Sequence, residues 1–166
     1  MTTLFQPYDR FKIKNRAAMA PMTRYDSNNE GVPSESLSDY YIRRAKNNVG
    51  LIIVESAAVN NADAMGYKGG LQFHNRKHLK AWVETIDKIH HEGCKVIIQL
   101  FHAGRLTVPE ITKGKVVAPS AINAFNSPSF WRPEIDGEVV HFQTKTPYPA
   151  PSELTKEEIN SIQQDF

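Results

Sequence analysis

Lys95-Val96-Ile97-Ile98-Gln99-Leu100-Phe101-His102-Ala103-Gly104-Arg105 is an apolar, β-branched run that stops abruptly in polar and glycine residues. Val96, Ile97, Ile98 and Leu100 have the unbroken apolar character of a short parallel strand buried on both faces, with helices on one side and a core on the other. Gln99 interrupts that run. A buried primary amide without partners costs a few kcal/mol, so this position calls for backbone partners or a ligand that both donates and accepts hydrogen bonds.

Ring edges of nucleotides and flavins carry such a mixed pattern, and His102, Gly104 and Arg105 follow where the strand opens into a loop. Upstream, Ala17-Ala18-Met19-Ala20-Pro21-Met22-Thr23-Arg24 is a compact strand-like run whose proline cannot donate to a ladder, so Thr23 and Arg24 stand just past its end. Residues 1–16 suit a hairpin or cap. Pro33-Ser34 starts a helix with Leu37, Tyr40, Tyr41 and Ala45 on one face, ended by Asn47, Asn48 and Gly50. Leu51-Ile52-Ile53-Val54 is a second strand that terminates in Glu55-Ser56. A second helix from Arg76 places Leu79, Trp82, Val83, Ile86 and Ile89 on one side, with Gly93 as its C-terminal cap. Strand, helix, strand, helix, strand at these spacings predicts a right-handed parallel α/β fold.

Residues 106–152 lack periodicity and contain Phe125, Phe130 and Trp131, as expected of a functional lid or a subunit contact. Thr155-Lys156-Glu157-Glu158 is a capping box, with Leu154 and Ile159 as the flanking hydrophobic pair. The apolar face Ile159, Ile162, Phe166 is still running at the last residue. Three parallel strands leave an unfinished sheet, so the expectation is an N-terminal piece of a larger protein, cut within its third helix.

Composition narrows the partners. The 166 residues are 40% hydrophobic and 23% charged, and 20 basic against 18 acidic residues give a net charge of +2 with no basic block. Nucleic acid and anionic membranes are therefore poor partners. One cysteine, Cys94, precludes an intrachain disulfide and reads as a buried structural thiol. There is neither a membrane-spanning apolar segment nor a signal peptide, which points to the cytoplasm and leaves a homo-oligomer open. His74, His78, His90, His91, His102 and His141 lack metal-site spacing; His74/His78 and His90/His91 read as solvating the second helix. Gly66-Tyr67-Lys68-Gly69-Gly70 lacks dinucleotide spacing and reads as a flexible loop, and no G-x-S-x-G elbow is present.

All three strands turn polar at their C-terminal ends, at Pro21-Met22-Thr23, at Glu55-Ser56, and at Gln99 with His102. That is the edge at which α/β folds bind ligands.

Ala20-Pro21-Met22-Thr23-Arg24-Tyr25, Tyr40-Tyr41-x-x-Arg44-Ala45, Gly50-Leu51-Ile52-Ile53-Val54-Glu55 and Ile98-Gln99-Leu100-x-His102-Ala103-Gly104-Arg105 resemble, in order and spacing, the old yellow enzyme family. Ala118-Pro119-Ser120 and Leu154-Thr155-x-Glu157-Glu158-Ile159 extend the resemblance over the whole chain. It implies the N-terminal part of an FMN-containing (β/α)8 barrel, about three βα units plus an N-terminal hairpin, in a domain of about twice this length. The implied activity moves hydride from NADH or NADPH through FMN to a small activated alkene or similar acceptor. Pro21, Met22, Thr23, Ser56 and Gln99 would be the FMN-binding residues. Thr23 would tune the flavin, and Tyr25 would reach the substrate pocket in some relatives. His102 and Arg105 would brace a loop. The residues that hold the substrate oxygen, donate the proton and bind the FMN phosphate lie on later strands in the family, so no catalytic residue is assigned within this segment. Alternatives are a multidomain iron-sulfur relative such as a dienoyl-CoA reductase or trimethylamine dehydrogenase, and a non-catalytic fragment that needs a complementary chain.

Overall fold

The computed structural model describes residues 4–60, 62–124 and 134–166. They form two compact units, Met1–Ala57 with Gly69–Leu100, and Ala58–Lys68 with Phe101–Phe166.

The first unit opens with a 3-10 turn, Asp9–Phe11, clasped by reciprocal backbone bonds between Tyr8 and Ile13, which is the expected cap. β1 (Ala18–Met19) lies parallel to β2 (Leu51–Ala58), with Ala18 opposite Leu51 and Met19 opposite Ile52. β3 (Leu71–Gln72) and β4 (Lys95–Phe101) both pair with β2, so the sheet has four strands where three were expected. The extra strand is two residues long, too short to carry a periodicity.

α1 (Glu35–Lys46) begins where Ser34 accepts a hydrogen bond from the Leu37 amide, and it buries Leu37, Tyr41 and Ala45. α2 (Arg76–His91) is capped by Asn75, whose side chain accepts from the amides of Lys77 and His78. Gly93 takes φ +68 just beyond its last turn. The core joins Leu37, Tyr41 and Ala45 to Ile52, Val54, Ala57, Leu71, Trp82, Ile89 and the buried free thiol Cys94. Each large side chain buried there contributes about 1.5–3 kcal/mol. Trp82 Nε1 is the one buried side-chain polar atom among the described residues without a hydrogen-bond partner.

Two expectations need correcting. α2 buries His78, Trp82, Thr85 and Ile89, whereas Leu79 and Val83 are 53% and 49% exposed. The buried stripe includes polar residues because each is satisfied: His78 Nδ1 accepts from the His74 amide, its Nε2 lies 2.8 Å from the Glu30 carbonyl, and Thr85 donates to Ser38 Oγ. His78 thus anchors the helix rather than solvating it. β4 is not buried on both faces either. Val96 and Ile98 pack on the core, while Lys95, Ile97 and Gln99 are exposed. An apolar run reveals which residues tolerate burial, not which face is covered.

The second unit holds β5 (Val117–Ala118) parallel to β8 (Ser152–Glu153), and the hairpin β6 (Glu134–Ile135) with β7 (Glu138–Val139). Asp136 and Gly137, both at positive φ, form the two-residue turn of that hairpin. The short α3 (Pro109–Thr112) precedes β5 in sequence. His141 is fully buried; its Nδ1 accepts from the Gln143 amide, so the Nε2 proton goes to the Gly66 carbonyl at 3.0 Å. Tyr67, Phe142 and Tyr148 surround the imidazole, and Tyr67 stacks on Phe101, so residues 66–68 are anchored rather than loose. α4 (Lys156–Asp165) carries the expected capping box, with Thr155 Oγ1 accepting from Glu158 N and Glu158 from Thr155 N. Its Ile159, Ile162 and Phe166 line an apolar hollow of about 270 Å³ with Val117, Pro119 and Leu154. Phe125, Phe130 and Trp131 lie outside the described residues.

Candidate functional site

Of the strand-end residues singled out in the sequence, Pro21, Met22, Thr23, Glu55, Ser56 and Gln99 belong to the first unit and His102 to the second. β1 gives way to irregular chain after Met19, so Pro21, Met22 and Thr23 follow it without a regular ladder. The parallel register nonetheless persists: Thr23 Oγ1 lies 3.4 Å from Ser56 Oγ on β2, at the same separation of 33 residues that relates the paired strands. Thr23 and Ser56 are half-buried, and Met22 is 48% exposed. Gln99 sits near the end of β4, exposed, two residues from Ile97, which is 52% exposed on the same strand. Its amide forms no hydrogen bond among the described residues. The expectation of a buried amide therefore fails, because the face of β4 that carries it is open.

Two residues that the sequence reading did not assign hold this end of the sheet. Glu55 is fully buried next to Val54, also fully buried, so two consecutive strand residues point into protein. Glu55 Oε1 accepts from the Arg24 amide at 2.8 Å, and Oε2 accepts from the Tyr41 hydroxyl at 2.9 Å. Tyr41 Oη in turn accepts from the Glu55 amide at 3.2 Å. Loss of water raises the Glu55 pKa above the usual carboxylate value, partly offset by the Arg24 amide and the Tyr41 hydroxyl; burial likewise pushes Tyr41 up. The signal available in the sequence was a charged residue continuing the apolar run 51–54.

The next residues turn sharply. Tyr25 adopts φ +57 and is 44% exposed. Gly69 backs this turn so closely that a Cβ there would lie 2.5 Å from the Tyr25 carbonyl. Asp26 accepts from Ser36 and its carbonyl accepts from the Ser34 amide, tying the turn to the start of α1. The Arg24 guanidinium lies 5.1 Å from the centre of the Tyr40 ring.

In the second unit, His102 Nδ1 accepts from the Gly104 amide and its Nε2 lies 3.2 Å from Asp63 Oδ1. Arg105 donates to the Ile122 carbonyl and to Ser120 Oγ. Both residues therefore brace loops, as the resemblance implied. No group of three or more His, Cys, Asp or Glu suited to a metal occurs among the described residues, and none of their helices is long and apolar enough to cross a membrane.

The comparisons agree with one another. Over 169 residues, all of this chain and 43% of the relative, it is 33% identical to NADPH dehydrogenase of Listeria monocytogenes. Over 111 residues, 66% of this chain and 17% of the relative, it is 38% identical to NADH oxidase of Thermoanaerobacter brockii. Its fold superposes on the old yellow enzyme homologue of Zymomonas mobilis with a TM-score of 0.81 and 28% identity, covering 98% of this chain and 42% of that one. Morphinone reductase in complex with tetrahydroNAD gives a TM-score of 0.77 at 30% identity, covering 98% and 43%. The chain thus spans less than half the length of these relatives, and its α/β succession is that of the N-terminal part of an old yellow enzyme barrel. Residues 3–166 match the NADH:flavin oxidoreductase / NADH oxidase family over nearly the whole sequence, and the chain belongs to that family.

Proposed function

We propose that this chain furnishes one wall of an FMN pocket in an oxidoreductase that draws hydride from NADH or NADPH and delivers it to an activated alkene or a similar electrophile. The observation that carries the reading is the pair of hydroxyls at 3.4 Å together with an open amide on β4, the strand that pairs with the one carrying Ser56. FMN, when bound, supplies the two-electron carrier that such chemistry requires.

The residues fit that group. Of the two hydroxyl protons on Thr23 and Ser56, one bridges the pair and the other is left to donate. A donor from Thr23 toward a ring carbonyl favours the electron-rich form and raises the reduction potential. Gln99 both donates and accepts, as the pyrimidine edge of a flavin demands, and Met22 and Ile97 offer exposed apolar surface for a flat ring. Main-chain groups of Pro21 and Met22, outside any regular ladder, complete this side. Tyr25 stands at the substrate side of the same turn.

The opposite wall, the phosphate site, and the groups that hold substrate and deliver a proton belong in this reading to polypeptide beyond residue 166, within a single barrel domain. A cytoplasmic location, where NADH and NADPH are available, is part of this proposal. The complete protein should purify with stoichiometric FMN that bleaches on anaerobic addition of NADH or NADPH. Absence of flavin would contradict the proposal, and tight stoichiometric FMN binding by residues 1–166 alone would contradict the half-pocket.

A second reading has one observation in its favour. Because the match to NADH oxidase covers only 17% of that relative, a segment similar to this one also occurs in a much longer chain. Visible iron absorbance and a large subunit mass in the complete protein would decide for a multidomain iron-sulfur flavoprotein.

A further inference from the structure

We propose that Glu55, braced by Tyr41, is the positioning residue of this flavin wall: by latching the Arg24 amide it fixes the Thr23 hydroxyl opposite Ser56. This inference rests on the FMN reading above and adds to it a residue that need not touch flavin.

The segment after β1 is tied to the start of α1 at Asp26, and Glu55 holds it nearer Thr23. From residue 20 to residue 26 the chain has no regular secondary structure, and the Thr23–Ser56 contact, at 3.4 Å, is at the long end of hydrogen bonding. The Arg24 amide at 2.8 Å from Glu55 is the short, charge-assisted bond next to Thr23. It lies one peptide from Thr23, and Glu55 lies one residue from Ser56. A single side chain therefore sets the spacing of both hydroxyls.

The latch itself is rigid. Tyr41 is fully buried on α1, edge-on to Tyr40 at 5.3 Å and tilted against Trp82 at 6.1 Å. Its hydroxyl donates to Glu55 Oε2 and accepts from Glu55 N, a closed ring of two bonds that pins both ends of the residue. Both carboxylate oxygens accept, which is the pattern of the ionised form. Among the described residues no Lys, Arg or His forms an ion pair with Glu55. A buried carboxylate without an ion pair is an unfavourable way to fill a core. A stronger acceptor for one backbone amide is what it provides there.

The test uses the complete flavoprotein with Thr23→Ala, Glu55→Ala, Glu55→Gln, Tyr41→Phe and the Thr23→Ala/Glu55→Ala pair. Two readouts are taken, the midpoint potential of bound FMN and the hydrogen exchange of the Arg24 amide. Glu55→Ala is expected to lower the potential by about half or more of the Thr23→Ala shift, and the double variant to fall no further than Thr23→Ala alone. The Arg24 amide should exchange about tenfold faster in Glu55→Ala, and by a smaller factor in Glu55→Gln, which keeps an acceptor without its charge. Tyr41→Phe should move both readouts in the direction of Glu55→Ala. If Thr23→Ala shifts the potential but Glu55→Ala does not, or the two shifts add, the positioning role is overturned while the flavin reading stands. If Thr23→Ala itself leaves the potential unchanged, the flavin reading of Thr23 falls, and the positioning role with it. Should Glu55→Ala fail to fold, wild-type values of both readouts in Tyr41→Phe would overturn the inference.

Discussion

Thr23 Oγ1 and Ser56 Oγ meet at 3.4 Å across residues that are 33 apart, the spacing that also sets Ala18 against Leu51 and Met19 against Ile52. The register of β1 and β2 thus outlasts the ladder, carried past Pro21 by side chains after backbone bonding has ended. Either hydroxyl of the pair can be the donor, and on the proposed reading Ser56 gives the bridging proton and leaves that of Thr23 for the ring. Ser56→Ala should lower the flavin potential, but by less than Thr23→Ala, since it removes only the neighbour's bond. Potentiometry on the two variants checks the order, and a larger effect of Ser56→Ala would reverse their assigned roles.

Gln99 offers a cleaner test of binding, because its amide makes no bond within the described protein and its loss should not disturb the fold. Gln99→Leu is expected to weaken FMN about tenfold, near 1.4 kcal/mol, with an unchanged or slightly higher melting temperature. Flavin titration of the apoprotein measures the first and thermal unfolding the second. Equal affinity would remove Gln99 from the site.

Glu55 gives stability a pH dependence of known sign. Burial raises its pKa above the ordinary 4.5. A carboxyl that holds its proton more tightly when folded contributes fully below the unfolded value, and that contribution is lost as pH rises through the folded value. The stability of Glu55→Gln relative to wild type should therefore improve as pH rises from about 4.5 toward neutrality. Denaturant titrations across that range provide the comparison, and a difference that stays flat would mean the charge is not disfavoured by the fold.

His141 has the opposite dependence. Burial lowers its pKa below 6.5, despite the bond to the Gly66 carbonyl that works the other way, and its Nδ1 must stay unprotonated to accept from Gln143. The stability it lends is full above 6.5 and is lost as pH falls through the lower folded value. An NMR titration of the ring should give a midpoint under 6.5, and a midpoint at or above it would contradict the buried neutral imidazole.

The order of elements and the position of the site were legible because they depend on local signals. Ser34 and Thr155 announce helix starts, Pro21 ends a strand, and three apolar runs turn polar at one edge. What escaped depends on partners far away in sequence. Thr85 is buried because Ser38 receives its proton, and His78 because Glu30 lends a carbonyl. No periodicity encodes such bonds. Gln99 stands on an open face because nothing described covers that side of β4, which the residues of the strand alone cannot tell. Asp136-Gly137 was a readable hairpin signal, masked by the irregular sequence around it.

The most direct measurement is the midpoint potential of FMN in the complete protein carrying Thr23, Thr23→Ser or Thr23→Ala. Loss of one hydrogen bond that strengthens on reduction should lower the Thr23→Ala potential by about 30 mV, with Thr23→Ser close to wild type. Identical potentials in all three proteins would show that the Thr23 hydroxyl does not face a flavin.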